Sequence, residues 1–187
     1  MNRAEQRRRT REALLEAAAE EFVARGYGQA TLQGAADRLG LTRGTVLFHY
    51  KSKDALRDAL CDWADARLTE AVEAEQAGDP DARFVATLRG FAQVYAGDVR
   101  VRAGLALQEE RSREHPVVSA WRAALDARAA AYLADRHGDG PTGERVPPVA
   151  AVALTSMFLG VVRDPAWRTD RQLRAALDHA TTLLTAR

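Results

Sequence analysis

Cysteine is nearly missing from this 187-residue chain: Cys61 stands alone, so no internal disulfide can form and a reducing cytoplasm is the expected setting. Lysine is confined to Lys51 and Lys53 while arginine and alanine are used heavily, a bias that points to a GC-rich genome and not to a function. No apolar segment follows the first residues, Met-Asn-Arg-Ala-Glu-Gln-Arg-Arg-Arg-Thr-Arg, so neither a secretory signal nor a membrane anchor is expected there. The longest apolar run, Val146 to Val162, is interrupted by Pro147, Pro148, Thr155 and Ser156; it falls short of a bilayer span and reads as a buried helix, with no membrane partner. From Ala82 onwards alternating β-branched residues are absent, which leaves no strand signal there, and no repeat or low-complexity tract stands out in the chain. His49, His115, His137 and His179 are scattered, with neither a nucleophile beside a base nor metal-ligand spacing. No catalytic residue, metal or cofactor is therefore expected.

What is present suits a soluble globular protein: 47% hydrophobic and 28% charged residues, in a chain long enough to bury a sizeable core. The net charge of +1 hides an asymmetry. Residues 1–57 carry 11 basic and 7 acidic side chains, the remainder 16 basic and 19 acidic. Only the first part complements a polyanion, and it does so as a local footprint.

The stretch from Thr31 to Leu56 organises the chain. Thr31 is placed to cap a helix in which Leu32, Ala35, Ala36 and Leu39 recur at the spacing of one buried face. Gly40 follows, where a sharp turn calls for positive φ. Thr42 caps a second helix with Val46 facing inward and Arg43, Gly44, Thr45, Phe48 and His49 left near its exposed end and face. Two short helices joined by a glycine turn make a helix-turn-helix, whose second member can enter a major groove. A plain helical hairpin has the same local pattern.

Upstream, Arg3, Arg7, Arg8, Arg9 and Arg11 form a basic arm, suited to a phosphate backbone or to a disordered solvated tail, ahead of an amphipathic helix that buries Leu14, Ala18 and Phe22 with Leu15 and Val23 beside them. Gly26 ends it and Tyr27 packs beneath it. Downstream, Ser52 caps a long helix carrying Leu56, Leu60, Trp63 or Ala64, Arg67, Leu68 and Val72 as far as Gly78-Asp79-Pro80, with Lys53 at its start placed to touch a phosphate. Helices follow near 81–96, 98–111, 115–136, 147–162 and 169–186, with a Gly-rich mobile loop from His137 to Arg145. The architecture is all-α: an N-terminal three-helix helix-turn-helix domain, residues 1–51, then a helical ligand-binding and dimerisation domain, residues 52–187.

The residues Phe22, Gly26-Tyr27, Thr31-Leu32, Ala36, Leu39-Gly40, Gly44, Phe48-His49-Tyr50, Lys53 and Leu56 resemble the TetR family of bacterial repressors, over roughly the first third of the chain. The Phe-His-Tyr triplet with Lys-Ser-Lys-Asp-Ala-Leu looks most like the γ-butyrolactone autoregulator receptors and pseudo-receptors, which control antibiotic production and morphological development. The resemblance implies Thr42, Arg43, Gly44 and His49 in the major groove, with Thr31, Tyr50 and Lys53 on the DNA backbone. Arg43 suits a forked contact to guanine or one more phosphate contact. Phe48 and Tyr50 also suit internal packing. One departure matters: the family usually carries tyrosine just before Phe48, and here Leu47 removes that hydroxyl.

For the second domain the resemblance implies an effector cavity, with Trp121 in its wall. Trp63, Phe84, Phe91, Tyr95, Trp121 and Phe158 are then lining residues, and Gln108, Thr155 and Ser156 orienting groups for an apolar ligand with a lactone or carboxylate head. The default for such aromatics is still core. The apolar faces of Val149 to Val162 and of Leu173, Leu177, Ala180 and Leu184 suit a four-helix interface between two copies, hence a homodimer on a pseudo-palindromic double-stranded DNA operator. Two other readings stay open: a DNA-binding protein whose second domain is only a dimerisation scaffold, and an all-helical enzyme.

Overall fold

The computed structural model describes residues 2–74, 78–114, 119–137, 148–162 and 175. Eight helices run through the described residues, with no strand among them: α1 (Arg3–Gln29), α2 (Leu32–Asp37), α3 (Arg43–His49), α4 (Lys53–Glu73), α5 (Pro80–Gly97), α6 (Val99–Glu114), α7 (Ala120–His137) and α8 (Pro148–Val161). They fall into two compact units: one holds the chain up to Arg67 with Tyr95 and α6, the other Leu68–Val94 with α7 and α8. Helices α4 and α5 each contribute residues to both.

In the first unit, α1 starts earlier than a solvated arm would. Asn2 caps it by accepting from the Ala4 amide at 3.2 Å, and the ion pairs Arg8–Glu5, Arg9–Glu5 and Arg8–Glu12 (2.9, 2.9 and 2.7 Å) follow at helical spacing. The basic arm is thus helix, and two of its arginines are committed to glutamates. Gly26 interrupts α1 with φ 71°, a backbone state that costs glycine least, and Tyr27 then packs on Phe22 with ring centroids 5.7 Å apart.

The core of this unit joins Leu14, Leu15, Ala18 and Phe22 of α1 to Ala35 and Ala36 of α2, Val46 of α3, Leu56 and Leu60 of α4, and Ala103 and Leu107 of α6. Two expected core positions differ. Leu39 is exposed because α2 stops at Asp37 and Leu39 falls in the turn; Val23, on the margin of the α1 stripe, is exposed too. A buried carboxylate ties α1 to α2. Glu21 pairs with Arg25 at 3.2 Å and Arg38 at 3.3 Å, and a Cβ on Gly34 would lie 2.3 Å from Glu21 Oε1.

Where α6 begins, Asp98 accepts from the Arg100 amide (2.9 Å) and from the Trp63 indole N–H (2.9 Å), while the Arg100 guanidinium lies 4.0 Å over the Trp63 ring. Trp63 is therefore an anchor between α4 and the start of α6. Burial pushes the Asp98 carboxyl up, but the bonds from Arg100 and Trp63 outweigh it and hold the group below its ordinary value. A carboxyl depressed in the folded state stabilises above its unfolded pKa of about 3.9 and loses that contribution as pH falls through the lower folded value. Urea midpoints of the wild type and Asp98→Asn should therefore differ by a constant amount near neutrality and converge below about pH 4.

The second unit buries Phe84, Leu88 and Phe91 of α5, Trp121, Leu125, Ala129 and Tyr132 of α7, and Leu154 and Phe158 of α8. Arg122 and Asp126 of α7 reach α8: Arg122 donates to Thr155 Oγ1 (3.2 Å) and Ser156 Oγ (2.8 Å), and the Thr155 hydroxyl donates to Asp126. Helix α8 is buried on one face only. Its other face exposes Val149 (70%), Val152 and Met157, within the run expected to carry an interface with a second copy. The expected helix at 169–186, with Leu173, Leu177, Ala180 and Leu184, lies outside the described residues, as do 138–145 of the Gly-rich loop.

Candidate nucleic-acid interface

The turn between α2 and α3 has the parts its sequence calls for. Thr31 Oγ1 accepts from the Gly34 amide at 2.9 Å, Gly40 turns the chain with φ 65°, and Thr42 Oγ1 accepts from the Thr45 amide at 3.2 Å. Val46, fully buried, fixes the inner face of α3; burying a valine is worth about 1.5–3 kcal/mol. With that face pinned, Thr42, Arg43 and Gly44 are exposed together at the start of α3, Phe48 is 65% exposed, and Thr45 and His49 are half-buried beside them. Among the described residues Arg43 has no hydrogen-bond or ion-pair partner, in contrast to Arg8, Arg9 and Arg38 of the same unit. Nothing inside the protein demands glycine at 44, since an added Cβ would meet only Thr42 Oγ1 at 3.6 Å.

The far end of α3 is held by α1. Arg11 donates to the His49 carbonyl (2.8 Å) and lies 4.3 Å over the Tyr50 ring, the Tyr50 hydroxyl donates back to the Arg11 carbonyl (3.2 Å), and Arg7 covers the Phe48 ring at 5.3 Å. Burial, then the charges of Arg7 and Arg11, hold the His49 pKa below its usual value. His49 is therefore a neutral imidazole at pH 7, a hydrogen-bonding group and not a cation. The clamp by Arg7 and Arg11 was hidden in the sequence, where the arm signalled only charge.

Two expected DNA-backbone residues have partners within the protein, Tyr50 for its whole side chain and Lys53 for one of its three donors. Tyr50 is 3% exposed, because its ring completes the core and its hydroxyl reaches the Arg11 carbonyl; it positions α3 from beneath. Lys53 Nζ donates to the Gly28 carbonyl at 3.2 Å and sits 4.5 Å over the Tyr27 ring, while staying half-buried. The Tyr27 hydroxyl donates to Asp54 at 2.5 Å; burial first and this bond second push its pKa up to about 12.

The expected effector residues divide. Phe91 brings Trp121 and Phe158 together, with centroids 5.5 and 5.6 Å away, and Phe84 pairs with Tyr132 at 4.9 Å. Trp121 is 3% exposed and its indole N–H has no acceptor among the described residues. Thr155 is spent on Asp126 and Arg122. Gln108 and Tyr95 belong to the first unit, where the Gln108 amide donates to the Cys61 carbonyl (3.0 Å) and the Tyr95 carbonyl accepts from Arg102 (3.2 Å). Cys61 itself is buried, which pushes its thiol up to about 11 and leaves it unreactive.

A capped, glycine-turned helix pair whose second helix exposes its start, braced by α1 and with helices alone among the described residues, defines a helix-turn-helix DNA-binding protein. Residues 14–60 match the model of the tetR family of bacterial regulatory proteins. The A-factor receptor protein of Streptomyces griseus is 29% identical over 151 residues, 79% of this chain and 52% of its own, so the chain spans about half the length of that relative. A solved structure concerned with control of antibiotic production by bacterial hormones is 30% identical, covers 94% of this chain and 95% of its own, and superposes with a TM-score of 0.62. A gamma-butyrolactone receptor, an ArpA-like protein, shares the fold at 22% identity and a TM-score of 0.65, covering 97% of this chain and all of its own. The chain belongs to the tetR family of bacterial regulatory proteins.

Proposed function

We propose that this protein is a ligand-responsive repressor that binds a pseudo-palindromic operator as a homodimer and is released by a small apolar signal of the γ-butyrolactone type. The observation that carries the DNA half is the unpartnered, exposed Arg43 beside Gly44 at the start of α3. In this reading residues 1–51 read DNA and 52–187 hold effector and dimer interface. Arg43, Thr42, Thr45 and His49 reach base edges, Thr31 and Lys53 meet phosphates, Phe48 offers its ring face, and Gly44 lets a strand of DNA come close where the protein itself leaves space.

The exposed Val149, Val152 and Met157 of α8 support pairing with a second copy. The buried, acceptor-less indole of Trp121, packed against Phe91, supports a ligand with an apolar body and a carbonyl acceptor. Such a ligand frees DNA only if it binds the non-operator state more tightly. Trp121→Ala should retain operator binding in a gel-shift assay and lose release by a γ-butyrolactone; a normal ligand response in that variant would remove Trp121 from the pocket.

A further inference from the structure

We propose that the cleft between the start of α5 and the C-terminal half of α7 binds a small carboxylate with a ring-sized apolar body. The cleft holds about 160 Å³ and is lined by Pro80, Arg83, Phe84, Ala127, Arg128 and Ala131. Phe84, fully buried against Tyr132, gives it an aromatic floor, and the proline and two alanines give it low apolar walls. A cavity of about 150 Å³ is enough for a benzene ring, so this one takes a ring and a head group but not a drug-sized ligand.

Two guanidiniums form the polar end. Arg83 Nη2 donates to the Gly78 carbonyl (2.8 Å), and Arg128 Nη1 donates to the Thr87 hydroxyl (2.9 Å), which donates in turn to the Arg83 carbonyl (2.9 Å). These bonds fix both side chains at the cleft wall. Yet Arg83 Nε is buried without an acceptor, and no carboxylate among the described residues pairs with Arg83. The acids nearest in sequence are committed: Asp79 accepts from the Ala82 amide (2.8 Å) and Asp81 pairs with Arg136 (3.1 Å). A ligand carboxylate supplies two coplanar acceptors that match a guanidinium edge and offset its charge. The site is distinct from Trp121: its α7 residues lie six to ten positions further on, about 9–15 Å along the helix.

The test uses the full chain and calorimetric titration with sodium benzoate, with benzamide as the neutral isostere and inorganic phosphate as the bare anion. Benzoate should bind saturably, benzamide and phosphate at least tenfold more weakly, and Arg83→Gln and Ala127→Leu should each weaken benzoate at least tenfold. Ala127 is exposed on α7, so the leucine variant keeps the fold and carries the test if Arg83→Gln does not. Benzamide binding as tightly as benzoate, phosphate matching benzoate, or full affinity in Ala127→Leu would each overturn the proposal. The readout is binding and not operator release, so failure here and failure of the repressor reading are told apart.

Discussion

Gly104→Ala should destabilise the first unit by several kcal/mol, and Gly104→Val should leave little folded protein. A Cβ at this position would lie 2.2 Å from the Leu60 carbonyl oxygen and 2.6 Å from Ala64 Cβ. Both belong to the regular interior of α4, so neither can swing aside as a flexible side chain would. The helices can only part, and parting withdraws Leu60, Cys61, Ala103 and Leu107 from the shared core. Overpacking against yielding neighbours costs about 1–3 kcal/mol, and a rigid backbone clash lies above that range; the whole folded state is worth about 5–15 kcal/mol. Gly97, around which an added Cβ meets nothing within 4 Å, is the control, and Gly97→Ala should leave the denaturant midpoint nearly unchanged. Equal midpoints for Gly104→Ala and wild type would show that α4 and α6 do not cross this closely.

Arg43→Ala should weaken specific operator binding by about 10- to 100-fold, the equivalent of losing about 1–3 kcal/mol of base discrimination, and leave the melting temperature unchanged. The side chain is exposed and bonded to nothing among the described residues, so its removal leaves the fold intact. Fluorescence anisotropy on operator and scrambled duplexes separates its two roles. A loss confined to the operator identifies base readout; an equal loss on both, with a shallower salt dependence, identifies a phosphate contact. Unchanged binding to both duplexes would take Arg43 out of the interface.

The helix-turn-helix was legible because its signals are local. Caps at Thr31, Thr42 and Ser52, a turn glycine at 40 and an inward valine at 46 each depend on neighbours within a few residues, and each performs that role. What stayed hidden depends on distant partners. For Tyr50 the family resemblance implied a DNA contact and packing stayed open beside it; the partner that favours packing, the Arg11 carbonyl, lies 39 residues away. The partners of Gln108 and Trp63, the Cys61 carbonyl and Asp98, are likewise 47 and 35 residues away. A buried carboxylate, Glu21, was invisible in an Ala/Glu-rich helix; the one trace of it in the sequence is Gly34 inside α2, a position that helix propensity alone would not give to glycine. The aromatics of α5, α7 and α8 were legible as a cluster, since Phe84, Leu88 and Phe91 repeat at helical spacing, whereas the orphaned Trp121 N–H could only be found in three dimensions.

The central claim is that the exposed start of α3 reads duplex DNA from two copies of the chain in register. Footprinting of purified protein on the DNA flanking its own gene tests it most directly. Protection of one pseudo-palindrome, with half-sites about one helical turn or more apart and two chains bound per site, is the predicted result. A protein that protects no sequence there, or that binds every duplex equally and as a single chain, would contradict it.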